Sequence, residues 1–319
     1  MVDAALVLNA RIGRTLRRPE LDATSAPQAL VANNTPARLR DRLARVPRAI
    51  ALLGVLVLAL WPHWHWMARR LTDGSDEPWG VLAVVTVLAL VAREWRMLAV
   101  PTRAALYVTA ALALSAAVAR IVLPPLAAAA IAMVSLATFL GAARRDRPAM
   151  PLASLLLLAL PVIASLQFYF GYPLRFVTAA LAAPVLQTLG FAAEAQGAAL
   201  LYDGRTVLVD PPCAGIGMLW VGAYTAALLS YLANASARHT LRNAAVAAIS
   251  VFLANVARNI ALFFPEALDL HWPAGAHSAI GLVAFSVALL PIVLVAAGPV
   301  ARKDPRWPQW PARFHRHLA

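Results

Sequence analysis

The sequence predicts an all-α polytopic membrane protein, and three observations of composition and pattern support this fold class. The 319 residues are 61% hydrophobic and only 13% charged, whereas a soluble domain carries about 25% charged residues. The apolar residues form runs of about 20, the length that crosses a bilayer as a helix. Short arginine-rich breaks separate these runs. A transmembrane barrel would instead show short strands of alternating polarity. The pattern therefore excludes a soluble globular enzyme and a disordered protein, and it disfavours a barrel.

We predict about eight transmembrane helices. Tryptophans lie near several of the predicted ends, as is typical of the aromatic belt at a membrane surface. The second span is short, so the residues flanking it would have to adapt to the bilayer thickness. The predicted spans are 48–66, 78–93, 104–122, 124–142, 150–168, 213–233, 243–264 and 276–297.

The positive charge of the chain predicts its orientation. A net charge of +13 would suggest nucleic-acid binding in a soluble protein, but membrane proteins accumulate lysine and arginine in cytoplasmic segments. Most of the 28 lysine and arginine residues fall in the two tails and in the alternate loops near 93–103, 144–147 and 238–242. We therefore predict that both termini are cytoplasmic, that the lipid bilayer is a partner and that nucleic acid is not.

The predicted spans divide the chain into four parts. Residues 1–46 form a basic cytoplasmic tail, mostly disordered. Residues 47–148 form an N-terminal region of four spans. Residues 149–298 form a second membrane region, which holds the candidate functional residues described below. Residues 299–319 form a second basic cytoplasmic tail.

An external segment of unusual length precedes span six. Residues 169–212 should lie outside the membrane, and 173–193 within them read as a short helix, interfacial or re-entrant. An Asp-Gly pair at 203–204 lies between the apolar runs 199–202 and 206–209. Because Asp-Gly favours the tight turn of a hairpin, we predict a β-hairpin directly before span six.

Cys213, the single cysteine, is the first candidate functional residue. Proline is favoured in the first turn of a helix, so the pair at 211–212 predicts that Cys213 lies in the first turn of span six. Asp210 would end the preceding strand. The positive end of the helix dipole would then favour the thiolate form of Cys213. A small cysteine buried in the helix packing is an equally good interpretation.

Arg258 is the second candidate because it lies within span seven, roughly 9 Å below the predicted outer end. A charge inside a membrane span is costly and usually functional. Asn255, Arg258 and Asn259 share one helical face and form a polar stripe on an apolar helix. The alternatives are an arginine that extends to the lipid headgroups or a structural hydrogen bond between helices.

His277 begins span eight and is the third candidate. A single interfacial histidine is more often part of the aromatic belt, and Gly281 lies one turn below it. The predicted topology nevertheless places Cys213, Arg258 and His277 near the same outer level, on three consecutive helices. A thiol, a base and a fixed cation at one depth are what acyl transfer through a thioester requires.

These motifs resemble those of the exosortase/archaeosortase family, membrane enzymes that process proteins bearing a C-terminal sorting signal. The resemblance covers about residues 150–297. Two positions depart from the family pattern: Ala214 stands where the family usually has serine, and Gly217 stands near where several members have arginine. The similar stretches are Gly171–Arg175 (GYPLR), the predicted hairpin, Asp210–Leu219 (DPPCAGIGML), Asn255–Asn259 (NVARN) and His277–Gly281 (HSAIG).

The resemblance implies a cysteine protease or transpeptidase in a bacterial plasma (inner) membrane, associated with exopolysaccharide. Its catalytic core would be 149–298, and its partners would be membrane-tethered proteins cut at a C-terminal sorting signal on the extracytoplasmic side. No cofactor and no metal are implied. The implied site residues are Cys213 as nucleophile, Arg258 as stabiliser of the oxyanion or thiolate, His277 as general base and acid, and Asn255, Asn259 and Asp210 in support.

Two other functions are compatible with parts of the sequence. In a multi-span transporter or channel, Arg258 would bind an anionic solute and Cys213 would only pack. A metalloprotease is the weaker alternative, because the HExxH motif of such enzymes is absent. Its candidate ligands would be His63, His65, Glu266 and His271.

Overall fold

The computed structural model describes residues 48–74, 77–144, 147–269, 271–273 and 275–301. The tail 1–46 and most of the tail 299–319 therefore lie outside the described residues. In chain order the helices are α1 (Arg48–Ala59), α2 (Trp61–Thr72), α3 (Trp79–Glu94), α4 (Arg103–Val122), α5 (Pro125–Ala143), α6 (Met150–Leu158), α7 (Ile163–Thr188), α8 (Ile216–Leu232), α9 (Ala237–Ala267) and α10 (Ala276–Ala301). The strands are β1 (Glu194–Gln196), β2 (Ala199–Tyr202) and β3 (Arg205–Leu208), and short 3₁₀ turns cover Trp95–Met97 and Pro211–Ala214.

The described residues form a mostly helical multi-pass membrane protein. Five helical segments are long and apolar enough to cross a bilayer. Four of them are the helices α4, α5, α9 and α10. The fifth is the stretch Pro211–Leu232, which consists of the second 3₁₀ turn, Gly215 and α8. Counting each of two bent pairs, α1–α2 and α6–α7, as one span raises the number to seven. The predicted second span corresponds to α3, which has 16 residues and is shorter than these, so the number of eight stays a prediction.

Spans one and five are bent where the sequence analysis predicted continuous helices. The bend between α1 and α2 is 64°, and the bend between α6 and α7 is 90°. Pro62 lies in the first turn of α2, and Pro161 lies in the break before α7. Proline lacks the N–H that would continue a preceding helix, and its ring clashes with that helix. The helix predicted over 173–193 is α7, whose observed bounds are Ile163–Thr188.

The predicted hairpin is confirmed and belongs to a small antiparallel sheet in the order β1-β2-β3. Asp203 and Gly204 both have positive φ, 47° and 70°, as a two-residue type I′ turn requires. The sequence analysis missed β1, which pairs with β2. Strand β1 has three exposed residues, and so short a polar segment carries no alternating pattern.

Helix α8 lies at the centre of the bundle, in contact with α6, α9 and α10. Glycine lets α8 approach α9 closely, because a Cβ atom at Gly222 would lie 2.7 Å from Val251 Cγ2. Small residues at such contacts are typical of membrane helices, whose association depends on close packing. The N-terminal half of α8 is thereby packed directly against the middle of α9.

A buried ionic cluster joins the opposite end of α8 to the N-terminal helices. The Glu94 carboxylate accepts a hydrogen bond from Arg144 Nε at 2.9 Å and from the Tyr231 hydroxyl at 3.0 Å. Arg147 Nη1 lies 3.2 Å from the same carboxylate, and both guanidinium groups lie over the Tyr231 ring. These contacts connect α3 and the α5–α6 loop to α8.

Replacing Glu94 by alanine should therefore destabilise the fold. Removing one partner of a buried ion pair leaves an uncompensated charge and costs about 3 kcal/mol or more. We expect a lower melting temperature in detergent and reduced accumulation in the membrane. Glu194→Ala, at an exposed position of β1, is the matched control and should melt like the wild type. An unchanged melting temperature in Glu94→Ala would show that the cluster does not stabilise the fold.

Candidate active site

Cys213 lies in the 3₁₀ turn Pro211–Ala214, and one residue separates the end of this turn from the start of α8 at Ile216. Its backbone N–H donates to the Asp210 carbonyl at 2.8 Å. Gly215 separates the turn from α8 and has a left-handed backbone, with φ 80°. Cys213 therefore lies in the first turn of the membrane-length stretch Pro211–Leu232, as predicted, but this turn is a 3₁₀ turn and is not continuous with α8. The left-handed residue ends one helix and begins another, so the thiol lies outside the regular turns of α8.

Gly215 also brings the turn against α9. A Cβ atom at Gly215 would lie 2.7 Å from Asn255 Cγ, so a side chain here would collide with α9 as well as strain the backbone. Asn255 Nδ2 and Asn259 Nδ2 donate to the Cys213 carbonyl at 3.0 and 3.3 Å. Both asparagines are buried. The predicted polar stripe of α9 thus faces the cysteine, and two of its three members hold the backbone of Cys213.

The structure brings the three predicted residues Cys213, Arg258 and His277 together. His277 Nε2 lies 3.7 Å from Cys213 Sγ and 3.0 Å from Arg258 Nη2. Cys213 is buried, Arg258 is half-buried and His277 is exposed. Gly281 makes room for the guanidinium, because a Cβ atom there would lie 3.2 Å from Arg258 Nε. The thiol from the 3₁₀ turn and the guanidinium from α9 therefore both face one imidazole nitrogen, which belongs to His277 of α10.

Cys213 and His277 both line a cavity of about 260 Å³. Its walls come from the β3 end of the hairpin, the end of α9 and the segment before α10, and they include Phe263 and Trp272. Asp210 and Glu266 add two exposed carboxylates. The cavity beside the thiol is therefore lined by both apolar side chains and carboxylates.

The family model described as transmembrane exosortase matches residues 74–294, more than half of the chain. The chain belongs to the transmembrane exosortase family. The matched region also includes α3 to α5, which precede the motifs recognised in the sequence over about 150–297. No curated protein and no solved structure matches the chain.

The metal-ligating alternative has no site in the part of this exosortase that the structure describes. Within it, no three side chains of histidine, cysteine, aspartate or glutamate come together where they could hold a metal ion. His63 is buried in α2, and Glu266 instead lines the cavity beside Cys213. The proposed ligands of the metalloprotease alternative therefore do not form one group.

Sequence analysis gave no role to two residues of this exosortase that contact the cysteine-bearing turn and the residues just before it. Gln167 Nε2 donates to the Pro211 carbonyl at 2.8 Å, and Arg175 Nη1 donates to the Val209 carbonyl at 3.3 Å. Both come from α7. The signal that could have found them is the spacing of Gln167, Gly171 and Arg175, each four residues from the next. That spacing was hidden because the helix was predicted to begin only at residue 173.

Proposed function

We propose that this exosortase-family protein is an integral-membrane cysteine protease or transpeptidase. Its substrates would be membrane-tethered proteins, cut at a C-terminal sorting signal through a thioester intermediate. The observation that carries the proposal is the contact of one imidazole nitrogen with both a thiol and a guanidinium, beside a cavity. A thiol nucleophile with an adjacent base is the arrangement that activates cysteine enzymes.

The first half of the proposed reaction forms the thioester. His277 Nε2 takes the proton of the Cys213 thiol, and the thiolate attacks the scissile carbonyl carbon. An S–C bond forms, and the carbonyl oxygen becomes an oxyanion, to which Arg258 donates a hydrogen bond. When the C–N bond breaks, the C-terminal piece leaves as an amine and takes the proton from His277.

The second half resolves the thioester. An acceptor amine or a water molecule attacks the same carbonyl carbon and gives its proton to His277 Nε2. The S–C bond breaks, and the Cys213 thiolate recovers a proton from the imidazolium. An amine gives transfer to a new partner, and water gives hydrolysis, so one set of residues serves both outcomes.

Because Cys213 and Arg258 share His277 Nε2, protonation of this nitrogen would release Arg258 from its hydrogen bond to His277. Neutral imidazole has one acceptor nitrogen, and arginine can only donate. In the resting site, Arg258 Nη2–H and the Cys213 S–H therefore compete for the lone pair of His277 Nε2. Once Nε2 is protonated, it can no longer accept from Arg258. The guanidinium is then free to donate to the thiolate or to the oxyanion at the step where negative charge develops.

Asn255, Asn259 and Asp210 would support this chemistry by holding the backbone of Cys213. The two asparagines donate to its carbonyl, and the Asp210 carbonyl accepts from its N–H. Because both ends of the Cys213 residue are held, the direction of the Cα–Cβ bond is set. The proposed support is geometric, and it needs no proton transfer to the amides.

The transporter alternative receives less support from the same contacts. In that function Arg258 would offer its donors to a solute, and Cys213 would be a packing residue. Here Arg258 donates to His277, and the same nitrogen faces the thiol. This pairing serves proton transfer and has no evident use in binding an anion.

The proposed location is a bacterial inner membrane, with the active site on the extracytoplasmic side. Reporter fusions at residues 145, 239 and 305 should give cytoplasmic signals, and fusions at 205 and 270 should give external signals. The physical basis is the bias of lysine and arginine toward cytoplasmic segments. An external signal at 239 would contradict the proposed side of the cavity.

The activity itself can be tested with a membrane-anchored candidate substrate carrying one tag on each side of its span. Co-expression with the wild-type protein should separate the two tags, and the retained fragment should change its mobility on a gel. A transient adduct of substrate mass on the peptide that contains Cys213 would identify the thioester. If the tags stay joined with every substrate that ends in a span and a basic tail, the proposed function is wrong.

A further inference from the structure

One face of α7 is directed at the turn that carries Cys213. Gln167, Gly171 and Arg175 are spaced by four residues and share this face. Gln167 Nε2 donates to the Pro211 carbonyl at 2.8 Å. Arg175 Nη1 donates to the Val209 carbonyl at 3.3 Å. Arg175 Nε donates to the Gly171 carbonyl of the same helix, also at 3.3 Å.

Gly171 is the member of this face that makes room for the other two. A Cβ atom at Gly171 would lie 3.2 Å from Gln167 Nε2, so a side chain there would crowd the amide. Its carbonyl anchors the Arg175 guanidinium. Gly171 therefore leaves space for the Gln167 amide to lie against the turn, and its carbonyl accepts a hydrogen bond from the Nε edge of the Arg175 guanidinium.

The turn depends on these outside donors because of its own sequence. Pro211 and Pro212 have no backbone N–H, so the segment 209–213, here called the nucleophile loop, lacks two of its own donors. Among its carbonyls, that of residue 210 is bonded to the Cys213 N–H. The carbonyls of residues 209, 211 and 213 accept from side chains of α7 and α9.

We propose that Arg175 and Gln167 are positioning residues for the nucleophile. From α7 they set the path of the nucleophile loop, while Asn255 and Asn259 hold its far end from α9. The direction of Cys213 Sγ toward His277 follows from that path. This inference rests on the proposed function, because it assigns to the two residues an effect on the reactivity of Cys213.

The geometry favours this role over simple anchoring of α7 at the membrane surface. An arginine that anchors a helix extends its charged end to the headgroups. Arg175 is half-buried, and its guanidinium bridges α7 to the nucleophile loop. Small errors in the placement of reacting groups cost large factors in rate. A loop held from one side only would let the thiol move away from His277 Nε2.

Two substitutions at residue 175, with side chains of similar length, separate the effect of the hydrogen-bond donors from the effect of side-chain size. Arg175→Met keeps the stem and loses every donor, whereas Arg175→Lys keeps one donor for the Val209 carbonyl. We expect Arg175→Met to lower kcat for tail release about tenfold, the effect of losing a charge-assisted hydrogen bond, with KM unchanged. Arg175→Lys should recover most of that rate. Gln167→Met should act in the same direction with a smaller effect, since a neutral donor is lost.

A second measurement needs no substrate. The rate at which iodoacetamide alkylates Cys213 should fall several-fold in Arg175→Met, because a displaced thiol is no longer activated by His277 and Arg258, and should return in Arg175→Lys. The matched control is Arg205→Met. Arg205 pairs with Asp269 outside the loop, so both rates and the melting temperature should equal those of the wild type.

The outcomes are separable. Wild-type kcat and alkylation in Arg175→Met would overturn the positioning role, and so would equal losses in the lysine and methionine variants accompanied by a lower melting temperature. Cys213→Ala is run beside them. If Cys213→Ala still releases the tail, the proposed function itself is wrong. If Cys213→Ala is inactive while Arg175→Met behaves as wild type, only the positioning inference fails.

Discussion

Replacing Cys213 by alanine should abolish release of the C-terminal tail, while the protein still inserts into the membrane and accumulates. The thiolate is the proposed bond-making group, and alanine offers no atom to attack the carbonyl. Cys213→Ser should be nearly as inactive, because His277 would have to deprotonate a much weaker acid. The measurement is the gel mobility of a doubly tagged substrate after co-expression with each variant.

The control for these substitutions should lie near the cavity without facing the chemistry. Thr206→Ala, at an exposed position of β3, should process the substrate like the wild type. His277→Ala should retain slow cleavage, because Arg258 would remain beside the thiol, although loss of a general base costs about 10²–10⁴ in rate. Normal processing in Cys213→Ala would overturn the catalytic proposal whatever the other variants do.

Arg258→Lys should also lose most of the activity, even though the charge is kept. The guanidinium is a planar fork of donors that can serve two acceptors at once, and lysine lacks it. Arg258 Nη2 donates to His277, and Arg258 Nε is buried without a hydrogen-bond partner among the described residues. We expect a fall of about 10²–10³ in kcat, the effect of losing an oxyanion donor.

Arg242→Lys is the matched control for this substitution. Arg242 lies at the other end of α9 and donates to the Val295 carbonyl, so the same change is made on the same helix away from the cavity. Its processing should be close to wild type. The comparison with Cys213→Ala separates the two functions: in a transporter, Cys213→Ala would be nearly silent and only Arg258 would matter. Full activity in Arg258→Lys would exclude a role for the guanidinium fork.

Part of the candidate site could be predicted because it depends on periodicity and depth. Asn255 and Asn259 are one helical turn apart, so their common face follows from the sequence, and both contact the Cys213 turn. Arginine counts placed Cys213, Arg258 and His277 at one predicted level. These arguments use only local spacing and the order of spans, which is why they identified three residues that the structure brings into contact.

The local geometry of the cysteine was predicted less well, for a definable reason. The two prolines before Cys213 favour a helix start, and that rule placed the thiol in the first turn of span six, taken as one continuous helix. The backbone instead makes a separate 3₁₀ turn and passes through Gly215 with φ 80°. The glycine is needed because Asn255 packs against it, and that contact comes from a helix distant in the chain.

The sequence by itself determined the membrane class, the apolar helices, the hairpin and the polar stripe of α9, because each depends on composition or on spacing between near neighbours. Only the tertiary structure decided the burial of Glu94 between two arginines and the contacts of Gln167 and Arg175 with the nucleophile loop. The last two contacts join residues 44 and 34 positions apart. Periodicity tells which residues share a face, but which faces meet is set by the packing of the whole bundle.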